Sequence, residues 1–416
     1  MQIHRRIVGF DSIVLGLTLH AAGGILRTIT QQTVFMIVLG VFAWIYIIRG
    51  LSSIRFSLKA NRITGLYKSL LYLYLVICLI MIIRGYLIDY NYPWISTAGC
   101  LNYHFLDKYY LLPYLMPLVC FIPWRYYKLD YYVIYASWVG LISFIVLFIS
   151  WNSIVQSSVT AMSGGEVFKG DSGLDYRFYT VFAFVTLLVA YIKPKIWLLN
   201  MLGLIAMLFI NMIAARRGSS LSMAILFVGA LFFWAKNNQH RYKFLSMLLV
   251  VTILSAATYF VLNSSLFDFL FMRGMSDSRS GVDEALLSQM SDSELIFGKG
   301  LNGRYYYPIL EDDYLRGWRY GTETGFYNIV LKGGYLMAFV YVLLLIIPAY
   351  KGLFQSRNFL CKAGGFFILL SLFELYPFGW LEFSVKFLAI WMMVVLCMNP
   401  YVRRMNDAEI KQQFFF

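Results

Sequence analysis

Long apolar runs separated by short polar turns set the rhythm of this chain. After His4, Arg5 and Arg6 the first run extends to residue 22, and others fall near 33–48, 66–83, 110–124, 131–151, 178–192, 196–215, 221–235, 244–262, 324–349, 360–376 and 383–399. The runs at 196–215 and 221–235 are each about long enough to cross roughly 30 Å of hydrocarbon with some tilt. The first mimics a secretory signal, but Asp11 interrupts it and many runs follow, so it reads as an uncleaved helix. The pattern predicts an all-α polytopic membrane protein of about 12 transmembrane helices. Residues 1–416 read as a single membrane domain. One long polar stretch, 263–323, lies between the ninth and tenth spans as a lid with short helices around residues 283–290. An even number of spans puts both termini on one side.

Composition agrees with this class. Of 416 residues, 60% are hydrophobic and 13% charged, with a mean hydropathy of +0.67, which excludes a soluble protein whose polar surface covers a core. A net charge of +14 would point to nucleic acid in a soluble chain. Here the turns on the side of the termini hold 20 of the 35 basic residues against three acidic ones, Asp130, Asp407 and Glu409. That asymmetry makes the side cytoplasmic by the positive-inside rule and accounts for the whole positive charge, so nucleic acid drops out as a partner. Five scattered cysteines show no CxxC or Cys/His spacing, which implies neither a disulfide framework nor a metal site.

Sorting charge by side isolates the outer-face arginines. Arg216 and Arg217 sit at a hairpin tip between two spans, and Gly218, Ser219 and Ser220 follow as a helix start. Guanidinium groups and unpaired helix N–H groups then converge, an arrangement suited to phosphate. Snorkelling to lipid headgroups explains the same pair. Arg84 and Arg177 lie at other outer span ends, and Arg273, Arg279, Arg304, Arg316 and Arg319 lie in the large loop, where each also reads as a solvated charge. Arginine suits pyrophosphate because its planar fork binds oxygens bidentately. The loop carries aromatic clusters at 305–307 and 318–320 that stack on sugar faces or anchor at the interface. Glu323, at the outer mouth of the tenth span, is a partly desolvated carboxylate fit for a base, or a helix-capping charge. Lys332 lies further down that span and reads as structural or cavity-lining. The glycines at 298, 300 and 303 lack the strand-before, helix-after context of a nucleotide loop.

This layout, the hairpin at 216–220, the glycine motif at 298–303 and Gly334 eleven residues after Glu323 resemble the O-antigen polymerase and ligase superfamily. The resemblance in layout covers the whole chain, and its motifs cover about 210–225 and 296–336. It implies a metal-independent glycosyltransferase of the bacterial inner membrane, without cofactor, acting at the periplasmic face. The donor would be a glycan on undecaprenyl pyrophosphate and the acceptor another lipid-linked repeat unit. Arg216 and Arg217 would stabilise the leaving pyrophosphate, Glu323 would accept or orient the acceptor proton, and Arg84, Arg177, Ser219, Ser220, Arg273, Arg279 and Arg304 would contact pyrophosphate or glycan. A chain-length regulator and a flippase would be partners, besides membrane lipids. In the ligase branch the position matched to Glu323 is typically histidine, and none of His4, His20, His104 and His240 lies in the large loop; this favours the polymerase branch over a ligase acting on lipid A core. A transporter of lipid-linked oligosaccharide is the alternative from another class, and it calls for paired repeats or broken helices near the bilayer midplane.

Overall fold

A bilayer core has no water to satisfy backbone N–H and C=O groups, so apolar segments fold as helices that bond within themselves. The computed structural model describes residues 9–30, 32–63, 65–87, 110–149, 179–213, 217–237, 280–308, 317–376, 379 and 381–415, and they are helical almost throughout. Among them, 5 helices are long and apolar enough to cross a membrane, as a multi-pass membrane protein requires.

Helices α1 (Phe10–Thr30) and α2 (Thr33–Ser53) form a tight hairpin. A Cβ on Gly16 would stand 2.6 Å from the Ala43 carbonyl, so the small residue is what lets the two backbones approach. The far face of α2, with Val34, Ile37, Val41, Ile45 and Ile48, is exposed and wholly apolar, as a lipid-facing surface must be. After α3 (Gly65–Leu87) the run at 110–124 departs from the expected continuous span. It folds as α4 (Leu112–Leu115) and two 3₁₀ segments, Met116–Phe121 and Trp124–Tyr126. Pro113, Pro117 and Pro123 remove backbone donors and break the helix. Next come α5 (Leu129–Ile149), α6 (Tyr179–Thr186), α7 (Pro194–Ile213) and α8 (Arg217–Asn237). Within the run at 178–192 the α-helix covers only Tyr179–Thr186, and turns follow it. The ninth run, 244–262, lies outside the described residues.

Within the large polar stretch are α9 (Ser280–Ser288), α10 (Asp292–Phe297) and a hairpin of β1 (Tyr305–Tyr306) and β2 (Trp318–Arg319), with Tyr305 opposite Arg319 and Tyr306 opposite Trp318. The chain closes with α11 (Gly325–Phe354), α12 (Phe359–Glu374), α13 (Val385–Met398), α14 (Pro400–Arg404) and α15 (Asp407–Phe414). All 14 residues of α13 are buried; it is the central post, packed on α1, α6, α11 and α12.

Contacts between turns sort into two ends. At the basic end the Asn61 amide donates to the carbonyls of Cys120 and Ile122 and accepts from Trp124 N–H, Asn358 donates to the carbonyls of Val402 and Met405, and the Tyr191 hydroxyl bonds Asp407. At the opposite end the last turns of α3 meet residues 301 and 302, Tyr179 meets Glu374, and Phe326 N–H donates to the Leu375 carbonyl. These are the two groups that alternating runs require.

Candidate functional site

The opposite end gathers several of the residues singled out from the sequence, though not all. Arg216, Arg177, Arg273 and Arg279 lie outside the described residues. Arg217 opens α8 by its backbone, its side chain also outside them, and Ser219 and Ser220 occupy the half-buried first turn, where helix N–H groups have no intrahelical partner. Arg84 stands in the last turn of α3, and its Nε is buried without a hydrogen-bond partner among the described residues. Glu323 is exposed, so the expected partial desolvation does not hold. It also falls outside the helix: Thr324 is the residue that precedes α11, and the first turn of α11 holds no acidic side chain. The Thr324 hydroxyl donates to Asp283 Oδ2 at 3.0 Å, tying α9 to the mouth of α11.

Below Glu323, α11 is broken. Gly334 has φ 73° and ψ 178°, a conformation open to glycine alone, and a Cβ there would collide with the Ile296 carbonyl of α10. The break frees carbonyls of the half-helix 325–333, and the glycine motif takes them up. Lys299 N–H donates to the Leu331 carbonyl at 2.8 Å and Gly300 N–H to the Lys332 carbonyl at 3.0 Å. On its other flank the loop bonds α3, with Leu301 N–H on the Met81 carbonyl at 2.9 Å and the Asn302 amide on the Gly85 carbonyl at 2.8 Å. Gly300, at φ +88°, lies so close that its Cβ would stand 2.5 Å from Gly85 N. The glycines therefore serve close backbone approach. Irregular backbone at this depth persists only where protein encloses it, and residues 300–303 are buried. Lys332, 5% exposed, donates from Nζ to the Gly303 carbonyl at 2.9 Å and lies 5.5 Å from the Tyr110 ring centroid, while the Tyr110 hydroxyl bonds Asn302. Its amine is enclosed in the junction, whose backbone is joined by residues 299–302.

Above the junction stands the hairpin. The Arg304 guanidinium lies 4.4 Å from the Trp318 ring centroid and donates to the Tyr320 hydroxyl at 3.4 Å; Arg319 lies 5.4 Å from the Tyr307 ring centroid. Tyr305 is buried, its hydroxyl donating to the Gly321 carbonyl. Burial pushes the Tyr305 phenol up to about 12 against the opposing pull of Arg319, with Asp283 and Glu323 close enough to add to the rise.

Two features went unread in the sequence. Glu374, at the end of α12, is 2% exposed, and Lys386, in the first turn of α13, is 7% exposed; they form a buried ion pair that the Tyr179 hydroxyl joins at 3.4 Å. Opposite charges just inside two apolar runs that flank a short turn were the available signal. The second is an apolar groove of about 720 Å³ lined by Ile225 of α8, Phe326, Val342 and Ile346 of α11, and Phe366 and Tyr376 from α12 and just beyond it. Among the described residues no three His, Cys, Asp or Glu side chains cluster as metal ligands would. No family model matches the chain, and neither a curated protein nor a solved structure matches it.

Proposed function

We propose that this protein is a glycosyltransferase of the O-antigen polymerase type. It would move a glycan from a polyprenyl pyrophosphate to a sugar hydroxyl of a second lipid-linked unit at the periplasmic face of the bacterial inner membrane. The observation that carries the reading is the apolar groove beside α8. Ile225 lines it eight residues, roughly 12 Å of helix, below Arg217. A ligand with a long apolar chain and a pyrophosphate head matches a groove with a cationic helix N-terminus at its end. Arg216 and Arg217 then offset charge growing on the leaving pyrophosphate, and exposed Glu323 reaches an acceptor hydroxyl on the water-exposed glycan of the second lipid-linked unit.

Deleting the gene tests this. A polymerase leaves lipid A core bearing one repeat unit. A ligase leaves bare core with lipid-linked polymer accumulating, and either that result or an unchanged pattern overturns the proposal. In the complemented strain Arg217→Lys lowers polymer formation by about 10²–10³, because lysine keeps the charge and loses the fork, and Glu323→Gln abolishes it.

Transport of a lipid-linked oligosaccharide is the second reading, favoured by the break in α11. Gly334 lies about 14 Å into the helix at 1.5 Å per residue, close to mid-bilayer. Against it, the carbonyls at the break are bonded by residues 299 and 300 and the Lys332 amine by Gly303, so the protein itself fills the place an ion or substrate would take. Unpolymerised units retained inside the deletion strain would decide for transport.

A further inference from the structure

We infer that the β1–β2 hairpin is a recognition platform for an acidic sugar of the glycan, with Trp318 and Tyr306 taking the sugar face and Arg304 its carboxylate. This rests on the transfer reading and narrows its substrate class.

The aromatic pair is open. Tyr306 is 46% and Trp318 36% exposed, with ring centroids 5.6 Å apart and planes at 67°, a corner of two apolar faces outside the bundle. Rings of this kind bury poorly, and a pyranose offers the C–H face that covers them. The corner is also held in advance. Gln289 pins the backbone of Tyr306 from both sides, its amide donating to the Tyr306 carbonyl at 2.8 Å and its oxygen accepting from Tyr306 N–H at 2.8 Å. At Gly317, φ +80°, a Cβ would stand 2.7 Å from the Tyr306 ring, so only glycine leaves that ring its place. A preorganised surface loses little conformational freedom on binding.

Charge supplies the selectivity. A guanidinium lying over an aromatic face keeps its N–H donors in its own plane, directed away from the ring. Arg304 is fixed in that way over Trp318, with one donor on Tyr320, and among the described residues no carboxylate pairs with it. The rest of its fork matches a planar carboxylate two oxygens wide. Arg319, next along β2, lies on the other face of the hairpin with Tyr305 and Tyr307, so the carboxylate falls to Arg304.

The test uses the full chain in nanodiscs of neutral lipid and isothermal titration with two sets of tetrasaccharides, one of hexuronate or sialic acid units and one of neutral hexoses of equal length. At least one acidic sugar binds about tenfold or more tighter than every neutral one. Arg304→Gln and Trp318→Ala each weaken it about tenfold. Arg304 is half-buried on the hairpin surface, so Arg304→Gln decides the matter should Trp318→Ala misfold. Equal binding of both sets, no binding of either, or undiminished binding by Arg304→Gln overturns the inference. Anionic lipid in the nanodiscs that abolishes acidic-sugar binding would assign Arg304 to headgroups and overturn it too. The transfer reading stands or falls separately, on the deletion strain.

Discussion

The two ends of the bundle are built by different means. At the basic end, side-chain amides bond the backbone of neighbouring turns: Asn61 serves three backbone groups and Asn358 another three, counting Cys361 N–H. At the opposite end backbone packs on backbone, through glycines at 300 and 334, and the charged side chains do something else. Glu374 and Lys386 are buried against each other, while Arg304 and Arg319 rest on aromatic rings and Arg84 keeps a buried nitrogen without a partner among the described residues. Cations rest on rings at the basic end too, Arg62 over Tyr401 and Arg125 over Trp124, and Arg403 keeps a buried Nε without a partner there among the described residues. The contrast lies in how the turns are joined, by the Asn61 and Asn358 amides at one end and by backbone bonds of the glycine loop at the other, and the proposed substrate site lies at the second.

The sharpest way to break it is to ask which end faces out. In a Cys100→Ser background, Ser291→Cys labels with an impermeant maleimide in intact spheroplasts and Lys411→Cys labels only after lysis. The reverse pattern would place the arginines in the cytoplasm and remove the proposed site from the periplasm. Second in size is the buried pair. Glu374→Ala leaves Lys386 uncompensated and lowers stability by about 3–5 kcal/mol in denaturant unfolding of the solubilised protein, while Glu374→Met with Lys386→Met recovers most of it. A mild effect of the single change would mean that water reaches the pair. Third, Asn358→Ala at the basic end costs about 1–3 kcal/mol by orphaning buried backbone groups, with polymer formed per folded molecule unchanged; a selective loss of activity would contradict placing the substrate site at the opposite end. The smallest effect is expected of Lys332→Met, within about 1.5 kcal/mol, because losing one hydrogen bond is offset by removing a buried amine. Collapse of the fold would show that the amine, and not the glycine backbone, holds the junction.

Much of the architecture was legible because it is local. Apolar runs at 33–48, 66–83, 196–215 and 221–235 became α2, α3, α7 and α8, and α9 begins near the residues expected to be helical in the large polar stretch. Arg217 stands at a helix start as read. The proline breaks at 113, 117 and 123 were visible too, and hydropathy alone passed over them. Two-residue strands are too short to show alternation, so the hairpin left no pattern to read.

What the sequence determined by itself is the division into helices and the sorting of turns between two ends, because transfer into lipid is summed residue by residue along a segment. Which polar groups meet was decided only by the tertiary structure. Gly334 is one glycine among 31 until the Ile296 carbonyl stands against it, and Glu374 and Lys386 are two charges in separate runs until α12 and α13 pack. Hydrogen bonds and ion pairs act over about 3 Å, and the partners that come within that distance are set by helix packing, which no stretch of chain carries alone.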